Sequence, residues 1–451
     1  MKNLLNLSLA IGIIGMLSYC GGTDDPAPKG DDKDTTMIDT TKVTNPLTAE
    51  ENKELLQAIA IDFVGEMSSL EETTTAQTLI SFGLFLEDAE PSTGGRKVSG
   101  TKGLNRINRS ILAFAQQRLN PGDFARMAST VDDHEPETIQ ELWDEYKGVF
   151  EWNNSTEEWD YTAGGNVVKF NFPATTDGST NNASITINSY TGVIIANPID
   201  EEYDGDLPES LDMDLKVDGV KEMGYSFDID YSTDGEPELI DTELFMNPFT
   251  LTVKMTNTEA VIANSVDFKN GDKLLIGTSI AINGNFDEDN ILDAEDNDDP
   301  SQVIVDGSVT LTLLDFQING KLEFKKLYDE VGELDTYWDS WSNDPEPDLQ
   351  ANALLLEDAL NKYAPLTTKY ISTNTIAATA EWYTYVETYN FGNDTEKSIE
   401  LGARMVFEDE SKVDIEDYFA SGFSQLESDL NDLIDAIGND IGEELDNVDF
   451  D

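Results

Sequence analysis

From Val149 onward, apolar residues recur at every second position, and no other feature constrains the fold of this chain as tightly. Leu211, Met213, Leu215 and Val217 are interleaved with Asp212, Asp214 and Lys216. Tyr225, Phe227, Ile229 and Tyr231 follow across an Asp218-Gly219 turn. Phe249, Leu251, Val253 and Met255 form a further set, as do Leu274, Ile276, Ile280 and Ile282. Val309, Leu311 and Leu313, then Phe316, Ile318, Leu322 and Phe324, repeat the pattern. Successive side chains of a strand point to opposite faces, so each stretch predicts one dry face and one wet face. That is the signature of an antiparallel meander. Phe150-Glu151-Trp152 and Trp159-Asp160-Tyr161 bracket an Asn153-Asn154-Ser155-Thr156 turn and predict a hairpin. No fixed-period repeat runs through the chain, which argues against propellers and solenoids.

On either side of the strands the period is helical. Thr48 with Glu51 is a capping-box pattern, and Leu55, Ile59, Phe63 and Met67 recur at every fourth residue. Leu79 to Leu86, then Leu104, Ile107, Ile111, Leu112 and Leu119, suggest second and third helices. Ile139, Leu142, Trp143 and Tyr146 suggest a fourth, with Gly148 as its C-cap. Beyond a loop or helix end at 337–347, Gln350 to Tyr363 reads as helix, and Ile376 to Tyr389 and Ile399 to Phe407 as strands. From Asp414, Phe419, Phe423, Leu426, Leu430, Leu433, Ile437 and Ile441 are spaced for a final helix, too short a seam for a coiled-coil oligomer. The expected fold is α+β: a helical N-terminal segment and a C-terminal helix packed on a large antiparallel β-meander. No linker composition interrupts residues 46–451, which read as a single unit. Within it, 46–148 is mainly helical, 149–326 mainly antiparallel strands, and 350–451 helix-strand-strand-helix.

The start of the chain has a different character. Lys2 precedes an almost wholly apolar run from Leu4 to Leu17, and Leu17-Ser18-Tyr19-Cys20 closes it on the single cysteine of 451 residues. About 14 apolar residues make roughly 21 Å of helix, short of a ~30 Å hydrocarbon core, so the run reads as an export signal. Its ending resembles the lipobox of bacterial lipoproteins. The resemblance covers residues 1–20 and implies removal of 1–19 and acylation of Cys20. Two or three acyl chains on that cysteine would make a stable membrane anchor, where one alone holds marginally. Residues 20–45 then form an acidic, disordered linker, and Thr23-Asp24-Asp25 is similar to the export tags of surface-displayed lipoproteins. With its one thiol lipidated, the mature chain has no disulfide and must be held by its core.

The acid-base balance excludes one class of partner. Ninety-one acids against 27 bases give a formal charge of −64. Such a field repels nucleic acid and anionic lipid surfaces, which are bound through Lys and Arg. Hydrophobic content of 39% with 9% aromatics nevertheless suits a folded protein.

One stretch carries ligand chemistry. Counted from Asn285, the residues Asn285, Asp287, Asp289, Asp293 and Asp296 put side-chain oxygens at positions 1, 3, 5, 9 and 12, with Ile291 at 7 offering its carbonyl. Calcium takes 6 to 8 hard oxygen ligands at such spacing. Over these thirteen residues plus Pro300 the stretch resembles an EF-hand-like calcium loop, and a thrombospondin type-3 repeat more closely. The resemblance implies a calcium site built from those six residues.

Catalytic signatures are sparse. His134, the single histidine, sits among acids before a predicted helix and reads as a loop or cap residue. Gly-x-Ser-x-Gly, Gly-x-x-x-x-Gly-Lys-Ser/Thr and His-Glu-x-x-His are absent from the sequence, and one histidine makes zinc unsuitable. A carboxylate pair for glycoside hydrolysis needs no histidine, but with 91 acids none stands out. Tyr337, Trp338 and Trp341 could stack on a sugar, as could Tyr383, Tyr385 and Tyr389 on one face of a strand with Trp382 on the other; core packing explains either set as well. The chain therefore reads as a lipid-anchored envelope or cell-surface protein, held to the outer membrane through its lipid. It would act as a non-catalytic scaffold or binding module for an extracellular glycan or protein. The alternatives are a glycan-binding or glycan-hydrolysing lipoprotein and a carrier of an apolar ligand.

Overall fold

The strands form where alternation is strongest. The computed structural model describes residues 47–68, 78, 143, 147–196, 206–297, 299–332, 346–391, 394–415, 418, 428 and 431, side chains 67–68, 206, 288, 295–296, 346–350, 386–391 and 394–399 excepted. These residues are mainly β with a few helices. They divide between two compact units, one formed by Ser69–Asn257 with Val266–Asp272, the other by Met1–Ser68, Thr258–Ser265 and Lys273–Asp451. In sequence the first is an insertion within the second; they are called here the inserted and the flanking unit.

The inserted unit carries β1 (Gly148–Asn153), β2 (Glu158–Ala163), β3 (Val168–Phe172), β4 (Ala183–Ile194), β5 (Asp206–Val217), β6 (Val220–Tyr231), β7 (Pro237–Met246) and β8 (Phe249–Asn257). Their order in the sheet is β2-β1-β3-β4-β5-β6-β7-β8. The expected hairpin is β1–β2, with Phe150 opposite Tyr161 and Trp152 opposite Trp159. One pairing departs from the antiparallel expectation: β3 runs parallel to β1. The cause is local. The chain leaves β2 through Gly164 and Gly165, at φ +122° and +90°, a region open to glycine and costly for other residues. It crosses the end of β1, where the Gly164 amide donates to Lys147 (3.4 Å) and Val167 accepts from the Gly148 amide (2.8 Å). Gly148, expected as a helix C-cap, opens β1 directly after a helical bond from the Lys147 amide to Trp143.

One face of this sheet is the core of the unit. Phe150, Trp152, Phe170, Phe172, Ile185, Ile187, Leu211, Met213, Leu215, Tyr225, Phe227 and Ile229 are all buried. Register explains the set, because Leu215, Met213 and Leu211 lie directly across from Met223, Tyr225 and Phe227. Each large side chain so buried contributes about 1.5–3 kcal/mol.

Strand β9 (Val261–Asn270) is divided, its first half belonging to the flanking unit and its second to the inserted one. The flanking unit carries β10 (Lys273–Gly284), β11 (Ile304–Leu313), β12 (Phe316–Leu322), β13 (Leu366–Tyr370), β14 (Thr375–Phe391), β15 (Asp394–Phe407) and β16 (Lys412–Asp414). Successive strands from β10 to β16 are antiparallel neighbours.

Helix α1 (Ala49–Ser68) starts at the predicted capping box. Thr48 Oγ1 accepts from the Glu51 amide (3.2 Å) and the Glu51 carboxylate accepts from the Thr48 amide (2.9 Å). Leu55 and Ile59 are buried as the fourfold spacing requires, joined by Leu56 and Ala60. From the same helix, buried Asn52 accepts a hydrogen bond from the Tyr370 hydroxyl (2.8 Å).

Two expectations in this unit change. The acidic stretch forms helix α2 (Glu288–Asn297) instead of an open loop, and a 3₁₀ turn follows at Pro300–Gln302. Asp287 explains the first, its Oδ1 accepting from the amide (3.3 Å) and side chain (3.2 Å) of Asn290 in the manner of an N-cap. Phe324, expected to end a strand, opens helix α3 (Phe324–Val331), which packs with α4 (Glu346–Tyr363) through Leu327, Val331, Leu356 and Ala359. The helices expected between Leu79 and Tyr146, and the final helix from Asp414, lie almost wholly outside the described residues. Thr78, Trp143, Ile415, Tyr418, Ser428 and Asn431 are described and are helical.

Candidate binding surface

Strand β14 separates two environments. Trp382 and Thr384 point to the side held by α4. The Trp382 amide donates to Asn361 Oδ1 (2.9 Å), its indole Nε1 donates to the Ala364 carbonyl (2.8 Å), and the Thr384 amide donates to Glu357 (3.0 Å). Glu381, Tyr383 and Tyr385 take the opposite side by alternation. Across from them on β15 stand Arg404, Gly402 and Glu400, and Asp414 of β16 lies across from Arg404.

These residues form one connected patch. Arg404 grips Glu381 with two parallel bonds, from Nε (3.2 Å) and Nη2 (3.0 Å), the fork geometry only arginine supplies. Lys412 pairs with the same carboxylate. Hydrogen bonding from Arg404, then Lys412, holds the Glu381 carboxyl at about 2, well below its ordinary value. The guanidinium also lies 5.1 Å from the Tyr383 ring centre, in cation-π range. Tyr383 hydrogen-bonds Asp414, and desolvation together with that bond pushes its phenol up to about 12. Tyr385 stacks beside Tyr383 with ring centres 6.0 Å apart, and is 46% exposed. Gly402 makes room for this column, since a Cβ there would lie 2.4 Å from the Tyr383 ring. Tyr383 and Tyr385 stand out in the sequence by their alternation; Glu381, Gly402, Arg404, Lys412 and Asp414 carry no separate signal, because only strand register brings them together.

The wet side of the inserted unit is different in kind. Asp228 lies directly across from Asp241, and Ser226 across from Glu243. Lys254, across from Asp241, is the cation that pairs with it, and this bond raises the lysine above its ordinary value. Asp212 and Asp214, two apart on β5, both accept from the Asn188 side-chain amide (3.1 and 3.2 Å). They occupy one strand, with Asp212 exposed, and do not face each other across a cleft. A crevice bordered by Leu47, Asn52, Tyr370, Ile376 and Glu408 is too narrow to admit a ligand.

The calcium candidates fall on and before α2. Asn285 is exposed and its amide donates to Val303 (2.8 Å); Asp287 is used as the cap; Asp289 and Asp293 are exposed and four residues apart, on one helix face. The amide of Ile291 donates to Asp287 (3.0 Å), and Asp296 belongs to the last turn, its side chain outside the described residues. On a helix, residues two apart do not face each other, so this spacing does not converge as it would in a loop. Among the described residues, no three carboxylate, histidine or cysteine side chains gather around a metal-sized space. Cys20, His134, Tyr337, Trp338, Trp341 and the Tyr389 side chain lie outside the described residues. Among those residues, no helix is long and apolar enough to cross a membrane.

Compared with known proteins, the chain matches no family model, no curated protein and no solved structure.

Proposed function

We propose that this chain is a lipid-anchored envelope or cell-surface protein that binds a partner without transforming it. The observation that carries the reading is the contrast between the two sides of its sheets. In the inserted unit one side is buried apolar core, while the other presents Asp, Ser, Glu and Lys along its strands; in the flanking unit the side of β14 away from α4 presents Glu381, Tyr383 and Tyr385. A polar strand face suits recognition, because it offers many hydrogen-bonding groups side by side. The Asp212–Asp214 pair gives the glycan-hydrolysing alternative little support, since glycosidase carboxylates flank the scissile bond from two sides. Cys20 supplies the anchor in this reading, and the membrane is its first partner.

Growing the source cells with an alkyne analogue of palmitate tests the anchor. The expected result is a labelled protein in the membrane fraction, with label lost in Cys20→Ser. An unlabelled protein in the cytosolic fraction would overturn it.

A structural calcium site on Asn285, Asp287, Asp289, Ile291, Asp293 and Asp296 is proposed with it. Its support is the donor chemistry, all hard oxygen. Because those donors converge only in a loop, binding at roughly 10⁻⁴ to 10⁻³ M should unwind α2 as it proceeds. Titration calorimetry with calcium, read beside circular dichroism, would show heat and a loss of helix. Asp289→Ala with Asp293→Ala should abolish both; no heat in the parent protein ends the idea.

A further inference from the structure

We propose that the tyrosine patch of β14 to β16 is a contact surface for an uncharged polysaccharide, with Tyr385 as its stacking platform. The proposal rests on the binding-module reading above and names the site and ligand class. Four features of the patch lead there.

Tyr385 is a large amphipathic ring, 46% exposed on an otherwise regular strand. Its partner Tyr383 is held by Arg404, by Asp414 and by the Tyr385 ring itself. A rigid aromatic surface binds at little cost in conformational entropy. The apolar C–H face of a pyranose fits such a ring.

Next to the rings lie planar groups with hydrogen-bonding capacity left over. Arg404 spends two of its five N–H donors on Glu381, and its side chain is 33% exposed. The Glu381 carboxylate, 30% exposed, has lone pairs beyond those taken by Arg404 and Lys412. Planar donor and acceptor pairs match the vicinal hydroxyls of a sugar.

Charge decides between polysaccharides. Arg404 and Lys412 are balanced by Glu381 and Asp414, so the paired core of the patch is neutral inside a chain of −64. Ions already paired gain less from an added charge, and an anionic polymer would have to approach against the field of the whole molecule. An uncharged chain of hydroxyls avoids both costs.

The geometry is also held in place from below. The Tyr383 ring occupies the space a side chain at 402 would need, so the platform depends on glycine at that position.

The test is affinity electrophoresis of the full-length protein in gels containing a neutral α-glucan, a neutral β-glucan, a neutral mannan or, as the anionic control, polygalacturonate. The proposal expects retardation by at least one neutral polymer and none by polygalacturonate. Tyr385→Ala should weaken that retardation about tenfold or more, while Tyr385→Phe, which keeps the ring, stays within about twofold. Circular dichroism of both variants checks that they fold. Retardation by polygalacturonate alone, or retardation unchanged in Tyr385→Ala, overturns the proposal. So does the absence of retardation by every neutral polymer. If, in that last case, cross-linking on intact cells still joins the protein to an envelope component, the tyrosine surface falls and the binding-module reading stands. If neither is found, both fall.

Discussion

The wet faces of β5–β8 and of β14–β16 are built on the same alternation, yet they handle charge in opposite ways. On β6 and β7, carboxylates stand directly across from one another, Asp228 against Asp241, with Lys254 attending to one of them. On β14–β16, Glu381 is matched to Arg404 and Lys412 and Asp414 to the Tyr383 phenol, with the rings of Tyr383 and Tyr385 stacked beside them. Like charges across a strand pair cost a few tenths of a kcal/mol to about 1 kcal/mol, so the first face is tolerated because the opposite side is a strong core. The second face orders its side chains instead. The two faces thus differ in how their charges are paired.

The largest test of that contrast is the core beneath the acidic face. Phe172 is fully buried, and Phe172→Ala should destabilise the inserted unit by about 3–5 kcal/mol in urea titration. A loss near 1 kcal/mol would mean the core is not what tolerates the repulsion. In the flanking unit, Tyr370→Phe leaves buried Asn52 Oδ1 without its donor and should cost about 1–3 kcal/mol. A neutral result there would show water replacing the hydroxyl.

The third test uses pH. Glu381 is held at about 2 in the folded protein against an ordinary 4.5, so its pairing stabilises the fold above pH 4.5 and is lost as pH falls toward 2. The stability difference between the parent and Glu381→Gln should be constant above pH 4.5 and shrink below it. A difference that grows on acidification would refute the pairing. The smallest effect is expected on the acidic face, where Asp228→Asn should stabilise by a few tenths of a kcal/mol at low salt, with the gain fading in 1 M salt. If Asp228→Asn destabilises, the carboxylate has a partner that outweighs Asp241.

Most strands were legible because alternation is a local signal. Leu211 to Val217 and Tyr225 to Tyr231 pair as a hairpin across Asp218-Gly219, both residues at positive φ. The capping box at Thr48 and the helix ending at Tyr363 were equally local. What escaped depended on context. Strand β9 has every residue partly exposed, so it has no dry face for hydropathy to reveal. The parallel β1–β3 pairing depends on how a four-residue crossing is aimed, and the chain from 164 to 167 does not announce that. In α2, the carboxylates that suit calcium in a loop also suit a helix N-terminus, and spacing alone does not choose. The β14–β16 patch was half legible: its tyrosines alternate visibly, but the arginine and glycine across from them are assigned by register.

The hydrogen bond between Asn52 and Tyr370 joins residues 318 positions apart. During synthesis at about 5–20 residues per second, α1 would wait roughly 15–60 s for that partner to be made. The inserted unit ends at Asp272, so all its strands exist before β13 is translated. The inserted unit can thus mature on the ribosome while the other is still open, and a chain cut short before Tyr370 would carry a finished insert on an unfinished frame.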